Sequence, residues 1–267
     1  MIACRDPGLR IAHAIISSML IEKTPIPLIF AHRGASALAP ENTLAAFRLA
    51  YQLGADGIEL DAMLSADNEL VVIHDDSVNR TTNGSGKVAK MPFAALRELD
   101  AGSNFNQAFR GEKLPRLSEV FEELGGKLLI NVELKNYSHP FDALTKNVIN
   151  LVERFHLEET VLLSSFNPIN LSKARRLNPA IQLGLLTSPG SKLMQGAIGR
   201  LFPYDALHPY FADISEAMVE KLHGLGKKVN TWTVDDPQAL RHMQSCGVDA
   251  VICNNPAAVR TLLEGQA

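Results

Sequence analysis

The feature that most constrains the fold of this chain is the regular alternation of short apolar runs with amphipathic segments of helical length. The apolar runs are PLIFAH, DGIELDAML, ELVVIH, KLLINVELK, TVLLSSF, IQLGLL, ALHP, KVNTWTV and DAVICN. Most of them are separated by helix-like segments such as ENTLAAFRLAYQLG, LSEVFEELGG, FDALTKNVINLVERF, ISEAMVEKLHGLG and DPQALRHMQSCG. Strand and helix patterns that alternate in this way are typical of parallel βαβ units, so the sequence predicts an α/β fold.

The apolar runs number nine, one more than a regular eight-stranded barrel needs. In DGIELDAMLSADNELVVIH, the polar stretch SADNE is too short for a parallel crossover, which takes about a dozen residues. The two flanking strands are therefore predicted to form a hairpin. We predict a distorted TIM (β/α)8 barrel with one irregular strand pair. A doubly wound open sheet is the alternative, because periodicity does not distinguish a closed sheet from an open one.

One long polar region interrupts the alternation, at approximately residues 75–112, with only a short helical pattern at PFAALREL. A loop of this length inside a compact domain is usually functional. We predict a small subdomain, inserted after the third strand, that packs over one mouth of the barrel. The barrel itself is predicted over residues 28–267, after an N-terminal extension over 1–27. The apolar run of that extension is too short to span a bilayer, and no small-x-small cleavage site follows it.

The composition excludes several classes of function. Hydrophobic residues make up 46% of the 267 residues and charged residues 21%, which excludes a disordered chain. The formal net charge of −3, without a basic run, gives no footprint for nucleic acid. The cysteines have neither paired nor metal-type spacing: Cys4, Cys246 and Cys253. No disulfide framework is therefore expected. A reducing, cytoplasmic location without membrane insertion is predicted.

Two acidic side chains in IELDA are predicted to share one face of a strand. Glu59 and Asp61 are two residues apart, so they point to the same side of the sheet. A solvated face is the simple explanation for such an alternation. Because Leu, Ile and Met flank the pair, the strand is predicted to be buried on both sides. Two buried carboxylates then need a cation, and Mg²⁺ and Ca²⁺ prefer oxygen ligands.

A third carboxylate comes from INVELKN, where Glu133 and Lys135 lie near the end of another apolar strand. The pair is open to interpretation as a surface ion pair of little energetic value. In a barrel, however, strand ends meet at the mouth where active sites collect. We predict a site for one divalent metal ion, Mg²⁺ or Ca²⁺, formed by Glu59, Asp61 and Glu133, with Lys135 neutralising excess negative charge.

Two histidines stand at strand ends near this predicted metal site. In FAHRGASALAPENTLAAF, His32 is followed by Arg33, a permanent cation that can clamp phosphate through two parallel hydrogen bonds. His74 ends ELVVIH, and the hairpin register places it beside Leu60 and Asp61. A structural histidine is the alternative for His74. Two histidines that flank a phosphate can work as general base and general acid, so the set indicates cleavage of a phosphodiester.

These residues stand in motifs that resemble the glycerophosphodiester phosphodiesterase family. The motifs are AHRGASALAPENTLAAF, GADGIELDAMLSADNELVVIHDDSVNRTTNGSG, LPRLSEVF, NVELK, SSF and VNTWTV, in the family's order. They run from about Leu28 to Asp235, which is nearly the whole chain beyond the N-terminal extension. HRG alone is a weak signal, whereas the ordered series is highly specific.

The resemblance implies a metal-dependent barrel enzyme that hydrolyses glycerophosphodiesters, deacylated phospholipids such as glycerophosphocholine or glycerophosphoethanolamine, to sn-glycerol 3-phosphate and an alcohol. It implies His32 and His74 as the general acid and base. It implies a metal held by Glu59, Asp61 and Glu133. The substrate-binding residues that it implies are Arg33 and Lys135 at the phosphate, Trp232 at the glycerol end of the pocket, and Asn42.

Several alternatives stay open at this point. Asn42 is by residue type also a good helix N-cap, and Trp232 is also explained by core packing. His208 is interpreted as structural. The chain departs from the family at Asp235 and Asn254, where the family usually has WTVN and a DGIITD-type strand. A lyase that stops at a cyclic phosphate, or a barrel that binds phosphodiesters without catalysis, are the alternative functions.

Overall fold

The fold is a closed barrel of eight parallel strands with an additional antiparallel strand. The computed structural model describes residues 26–137, 139–191 and 201–265. The strands are β1 Leu28–His32, β2 Gly57–Leu64, β3 Leu70–Val72, β4 Leu129–Leu134, β5 Val161–Ser165, β6 Gln182–Thr187, β7 Ala206–Pro209, β8 Lys228–Thr231 and β9 Ala250–Cys253. Strand β1 pairs in parallel with both β9 and β2, which closes the sheet. The predicted TIM-type barrel is confirmed, and the open sheet is wrong.

Helices follow most of the barrel strands. In the described ranges, the structure has the α-helices α1 Leu44–Gln52, α2 Phe93–Glu98, α3 Leu117–Leu124, α4 Leu144–Phe155, α5 Pro168–Leu177, α6 Glu216–Gly224, α7 Pro237–Cys246 and α8 Pro256–Glu264. The same ranges contain short 3₁₀ helices at Val88–Lys90, Gln107–Phe109 and Phe211–Asp213. No helix in the described part of the chain is long and apolar enough to cross a membrane.

Alternation along the strands sorts side chains into two sets. One set packs with the helices in a large apolar cluster that includes Ile29, Ile58 and Val132. Residues of the other parity form a separate apolar cluster of Leu28, Phe30, Leu129, Ala250 and Ile252. Further along the same strands, towards their carboxyl ends, this second set becomes polar. The barrel interior is therefore apolar at one end and carries polar side chains at the mouth, where the functional residues were predicted.

The hairpin of β2 and β3 has the predicted turn and register. Ala62 pairs with Val72 and Leu64 with Leu70, so SADNE forms the turn. The Ile73 amide donates to the Asp61 carbonyl at 2.9 Å, which continues the pairing. His74 follows directly, opposite Leu60. The extra ninth run is thus accounted for by an antiparallel strand that delivers His74 to the barrel mouth.

The segment between β3 and α3 has a small apolar core of its own. This core also includes two residues of the β3 region, Val71 and Ile73. Its other buried members are Val78, Val88, Phe93, Leu96, Ala101 and Leu114. The predicted insertion after the third strand is confirmed as part of the fold, while the limits of 75 and 112, and the start of the barrel at 28, stay predictions. The N-terminal extension over 1–27 lies almost wholly outside the described residues.

Candidate active site

The junction of β1 and α1 brings His32 and Arg33 to the barrel mouth through a sharp turn. Arg33 has φ 55° and Gly34 has φ 81°, both in the left-handed region. A Cβ atom on Gly34 would come within 2.7 Å of Ala46, so only glycine lets α1 pack this closely on the turn. The Arg33 amide donates to Glu59 Oε2 at 3.1 Å. The turn is therefore fastened to one of the predicted metal ligands.

The three predicted metal ligands lie together. Each of Glu59, Asp61 and Glu133 offers an oxygen within 4.8 Å of the others, and all three are buried. Asp61 is paired with Glu133 across neighbouring strands β2 and β4. One buried oxygen, Oδ1 of Asp61, has no hydrogen-bond partner. Three oxygen donors of this kind fit a hard divalent cation such as Mg²⁺ or Ca²⁺.

The pKa values of these three carboxyl groups reflect their burial and their mutual repulsion. Burial, followed by the charge of Asp61, raises the pKa of Glu133 to about 7. Burial and the same neighbour raise the pKa of Glu59 well above its usual value. Burial alone would also raise the pKa of Asp61, but the charges of Lys135 and Arg33 lower it below the usual value. Among the three carboxylates, Asp61 is therefore the one whose ionised form is favoured by its neighbours.

Two cations flank the carboxylates. Lys135 Nζ lies 3.1 Å from Glu133 Oε1 and 3.6 Å from Asp61 Oδ1. Arg33 Nε lies 3.3 Å from Asp61 Oδ2, and its Nη1 donates to Glu41 Oε1 at 2.9 Å. Burial would lower the pKa of Arg33, but the charges of Asp61 and Glu41 raise it. Both cations stand beside the candidate metal ligands, where they can form charge-assisted hydrogen bonds with an anion.

His32 is held from outside the site by an asparagine. Its Nδ1 lies 2.7 Å from Asn254 Oδ1, and its Nε2 lies 4.0 Å from Glu59 Oε2. Burial, followed by the Arg33 charge, lowers the pKa of His32. The ring is therefore neutral at neutral pH, with one nitrogen directed at the carboxylate cluster.

His74 contacts a carboxylate that belongs to a series of ion pairs. His74 Nδ1 lies 2.6 Å from Asp75 Oδ1. Arg80 donates to Asp75 Oδ2 at 2.7 Å and to both oxygens of Glu41, at 2.6 and 2.9 Å. Glu41 in turn accepts from Arg33. Because Arg80 belongs to the inserted segment, that segment connects the Asp75 partner of His74 with the Glu41 partner of Arg33.

Asn42 faces Asp61, one of the candidate metal ligands, rather than the helix. Its Nδ2 donates to Asp61 Oδ2 at 2.8 Å, and its Oδ1 accepts from the Asp61 amide at 3.3 Å. The N-cap of α1 is the next residue, Thr43, whose side chain accepts from the Ala46 amide. The interpretation of Asn42 as the helix cap is wrong, because one position cannot present its amide to both α1 and Asp61.

An aromatic wall lines the mouth on the side of β4, β5 and β8. The ring of Trp232 makes edge-to-face contacts with Phe166 and Tyr210, and Phe166 makes another with Tyr137. The indole Nε1 donates to the His208 carbonyl at 2.8 Å. Trp232 is half-buried and packs against the apolar cluster inside the barrel. Core packing therefore explains part of its contacts, and the rest of the side chain stays accessible.

His208 itself is buried inside the barrel. Its Nε2 lies 3.0 Å from Asn230 Nδ2, and burial lowers its pKa to about 3. It makes none of the contacts described for His32 and His74. This agrees with its interpretation as a structural histidine.

Comparisons with known proteins decide the family. The model of the "Glycerophosphoryl diester phosphodiesterase family" matches residues 32–258. The chain belongs to the glycerophosphoryl diester phosphodiesterase family. A glycerophosphodiester phosphodiesterase from Caldanaerobacter subterraneus subsp. tengcongensis is 40% identical over 237 residues, which cover 88% of this chain and 97% of that relative. The resemblance stated from the sequence motifs is confirmed, and with it the expectation of an enzyme.

Solved structures of glycerophosphoryl diester phosphodiesterase type show the same architecture. An Oleispira antarctica phosphodiesterase, solved in complex with the product sn-glycerol-3-phosphate, is 32% identical with a TM-score of 0.83 and covers 90% of this chain and 97% of its own. A glycerophosphodiester phosphodiesterase from Agrobacterium tumefaciens str. C58 is 31% identical with a TM-score of 0.76 and covers 88% of this chain and 99% of its own.

Sequence reasoning missed the contacts that hold the histidines and Arg33 in place. In this member of the glycerophosphoryl diester phosphodiesterase family they come from Glu41, Asp75, Arg80, Asp235 and Asn254. Asp235 and Asn254 were noted from the sequence only as departures from the family's motifs. Glu41 and Asp75 stand next to residues already singled out, which is a weak local signal. Asn254 is 222 positions from His32 in the chain, so only the closure of β1 on β9 brings them together.

Proposed function

We propose that this enzyme hydrolyses glycerophosphodiesters to sn-glycerol 3-phosphate and an alcohol, with a bound divalent metal and with His32 and His74 as the proton-transfer pair. The observation that carries the proposal is the convergence of both histidines, Arg33 and three buried carboxylates at one barrel mouth. The names of the Caldanaerobacter and Agrobacterium relatives, and the product bound to the Oleispira relative, support the substrate class. Deacylated phospholipids such as glycerophosphocholine and glycerophosphoethanolamine are the expected substrates.

Glu59, Asp61 and Glu133 would hold the ion, Mg²⁺ or Ca²⁺, which when bound neutralises charge on a phosphoryl oxygen. Arg33 is proposed to bind the phosphate through its guanidinium, whose orientation Glu41 fixes. Lys135 adds a second positive charge beside Glu133. Trp232 and the aromatic wall around it are proposed to bind the carbon side of the glycerol. Asn42 contributes by holding Asp61 in place.

In the proposed reaction, one histidine accepts a proton from the attacking hydroxyl while the other protonates the departing alcohol. The attacking group is either the glycerol 2-hydroxyl, followed by opening of a cyclic phosphate, or a water molecule. In both routes a histidine pair contributes about 10²- to 10⁴-fold to the rate. Loss of either imidazole should therefore reduce kcat much more than KM.

The test is a coupled assay for glycerol 3-phosphate released from glycerophosphocholine. We expect activity with added Mg²⁺ or Ca²⁺, its loss on chelation, and a large loss of kcat in His32→Gln and His74→Gln. His242→Gln, which changes an exposed histidine on α7, is the matched control and should retain activity. Release of a cyclic phosphate alone would indicate a lyase instead. Turnover that survives chelation would refute the metal site, and the absence of turnover with every metal would favour a non-catalytic barrel.

A further inference from the structure

The proposal concerns the outer partners of His32, which lie at the carboxyl ends of β8 and β9. Asn254 comes directly after β9, and Asp235 lies in the connection between β8 and α7. Asp235 accepts two hydrogen bonds from the same residue, one from the Asn254 amide at 2.7 Å and one from Asn254 Nδ2 at 2.5 Å. An ionised carboxylate has no hydrogen to donate, so it acts only as an acceptor. Oδ1 of Asp235 therefore holds the backbone of Asn254, and Oδ2 selects the orientation of its side-chain amide.

This orientation determines what faces His32. With Nδ2 directed at Asp235, Asn254 presents Oδ1, which is only an acceptor. Oδ1 lies 2.7 Å from His32 Nδ1 and accepts from Ser36 Oγ at 2.9 Å. His32 Nδ1 must therefore carry a hydrogen. In a neutral imidazole the second nitrogen then bears a lone pair, so Nε2 faces the carboxylate cluster as an acceptor.

We infer that Asp235 and Asn254 are positioning residues that fix His32 as the Nδ1–H tautomer, which leaves Nε2 ready to accept the first proton of the reaction. The inference rests on the proposed function for its consequence in catalysis, whereas the tautomer itself follows from the hydrogen bonds alone. The inference adds Asp235 and Asn254 to the site, two residues that lie towards the C-terminal end of the sequence while His32 lies towards the N-terminal end. Partners of this outer kind typically change activity about 10- to 100-fold when they are lost.

The decisive variant is Asp235→Asn. An asparagine side chain at this position cannot accept from both Asn254 donors, because one of its two terminal atoms is now an NH₂ group. Rotation of the Asn254 amide relieves that conflict and turns its NH₂ group towards His32. His32 Nδ1 then has to accept, and the hydrogen moves to Nε2. We expect kcat to fall about 10- to 100-fold, with a much smaller change in KM.

The double variant Asp235→Asn/Asn254→Asp supplies the rescue. The new carboxylate at position 254 then accepts from His32 Nδ1 and Ser36. The new side-chain amide at position 235 donates its NH₂ group to that carboxylate and accepts from the backbone amide of residue 254. Every donor again has an acceptor, so kcat should return to the wild-type order of magnitude. Asp236→Asn is the matched control: Asp236 is the neighbouring carboxylate and caps α7, a role that asparagine fills equally well.

Nitrogen-15 NMR of histidine-labelled protein, with the His32 signals assigned by difference from His32→Gln, reads the tautomer without substrate. We expect an N–H signal at Nδ1 in the wild type and the double variant, and at Nε2 in Asp235→Asn. A wild-type ring with its hydrogen at Nε2 would overturn the inference, even if Asp235→Asn does not fold. So would an Asp235→Asn protein with unchanged tautomer and kcat. A wild type that hydrolyses no glycerophosphodiester but has the Nδ1–H signal would refute the proposed function and support the tautomer.

Discussion

At the scale of single residues, the site is a balance of buried charges. Among the described residues, three carboxylates, Glu59, Asp61 and Glu133, lie beside two cations, Arg33 and Lys135. Asp61 takes most of the stabilising contacts, since Lys135, Arg33 and Asn42 all approach it. The remaining negative charge falls on the two glutamates, whose pKa values are raised. A divalent cation bound at these carboxylates would offset this excess negative charge.

The first prediction is that the metal-free protein becomes less stable as the pH rises through about 7. The pKa of Glu133 is raised from 4.5 to about 7 in the folded protein. The folded state thus holds this proton more tightly, and the stabilisation it gives is complete below the unfolded pKa and lost as pH passes the folded pKa. Thermal unfolding in chelator should show wild type losing stability relative to Glu133→Gln between those two values. A constant difference across that window would contradict the prediction.

Sequence reasoning at this scale found the residues that carry local signals. Glu59 and Asp61 are two residues apart on one strand, so the sequence predicts that they share a face. The hairpin register predicts the position of His74 beside Asp61. The Asp235–Asn254–His32 arrangement could not be predicted in this way, because it depends on hydrogen bonds between β9, the β8–α7 connection and β1. For the same reason Asn42 was open to interpretation as a cap: residue type alone does not reveal which partner an amide faces.

At the scale of elements, the loops at the carboxyl ends of the strands hold the candidate catalytic groups in place. In the turn after β1, Arg33 and Gly34 both have positive φ, and a Cβ atom on Gly34 would clash with Ala46 of α1. This turn fixes His32 and Arg33 in relation to Glu59. The packing of α1 against this turn therefore helps to set the geometry of the candidate active site.

The second prediction compares Gly34→Ala with Gly54→Ala. Both glycines have positive φ, of 81° and 74°, but a Cβ at Gly54 meets nothing within 4 Å. Gly54→Ala should cost about 1 kcal/mol of unfolding free energy from backbone strain alone. Gly34→Ala should cost about 3 kcal/mol or more, because the clash with α1 is added. Urea denaturation measures both, and equal losses would show that the contact with Ala46 carries no weight.

The third prediction concerns Arg80, which joins the inserted segment to the β1–α1 loop through Asp75 and Glu41. Arg80→Gln should lower kcat/KM about 10- to 100-fold, because the carboxylates that hold His74 and Arg33 lose their common partner. The melting temperature should change little, since exposed ion pairs contribute about 1 kcal/mol or less.

The control for Arg80 is Arg48→Gln, which removes an arginine with two hydrogen bonds to Glu123 at similar exposure, 51% against 47%. Arg80 also borders a cavity of about 180 Å³, so a small cation can occupy the space left by a shortened side chain. Methylguanidinium should partly restore the kcat/KM of Arg80→Gly, and sodium added at equal ionic strength should not. Equal losses in the Arg48 and Arg80 variants would show that only general surface charge matters.

At the scale of the whole molecule, closure of the barrel is what unites the site. His32 on β1 comes beside Glu59 on β2, and Glu133 on β4 comes beside Asp61, through parallel pairing alone. The alternation of strands and helices predicted the elements, but closure depends on β1 meeting β9 at the other end of the chain. Local periodicity contains no information about that contact. The number of strands favoured a barrel and the resemblance to the family implied one, but neither contains the contact itself.

The fourth prediction is that metal binding stabilises the entire barrel. The three carboxylates belong to two neighbouring strands, so an ion that binds only the folded state shifts global unfolding. At a free concentration about 100 times Kd, Mg²⁺ or Ca²⁺ should add about 2.7 kcal/mol to the unfolding free energy. Asp61→Asn should lose most of this gain, whereas Glu220→Gln, an exposed control on α6, should keep it. A stabilisation retained in Asp61→Asn would place the ion elsewhere.

The hairpin of β2 and β3 has a consequence for which insertions and deletions the chain can tolerate. Because side chains alternate along a strand, one residue added to the SADNE turn without a compensating bulge would slip the register and turn His74 away from Asp61. The longer segment that follows His74 has its own apolar core and its own turns, so its length can change without moving that histidine. Natural length variation in this family should therefore concentrate after His74 and avoid the five residues of the turn.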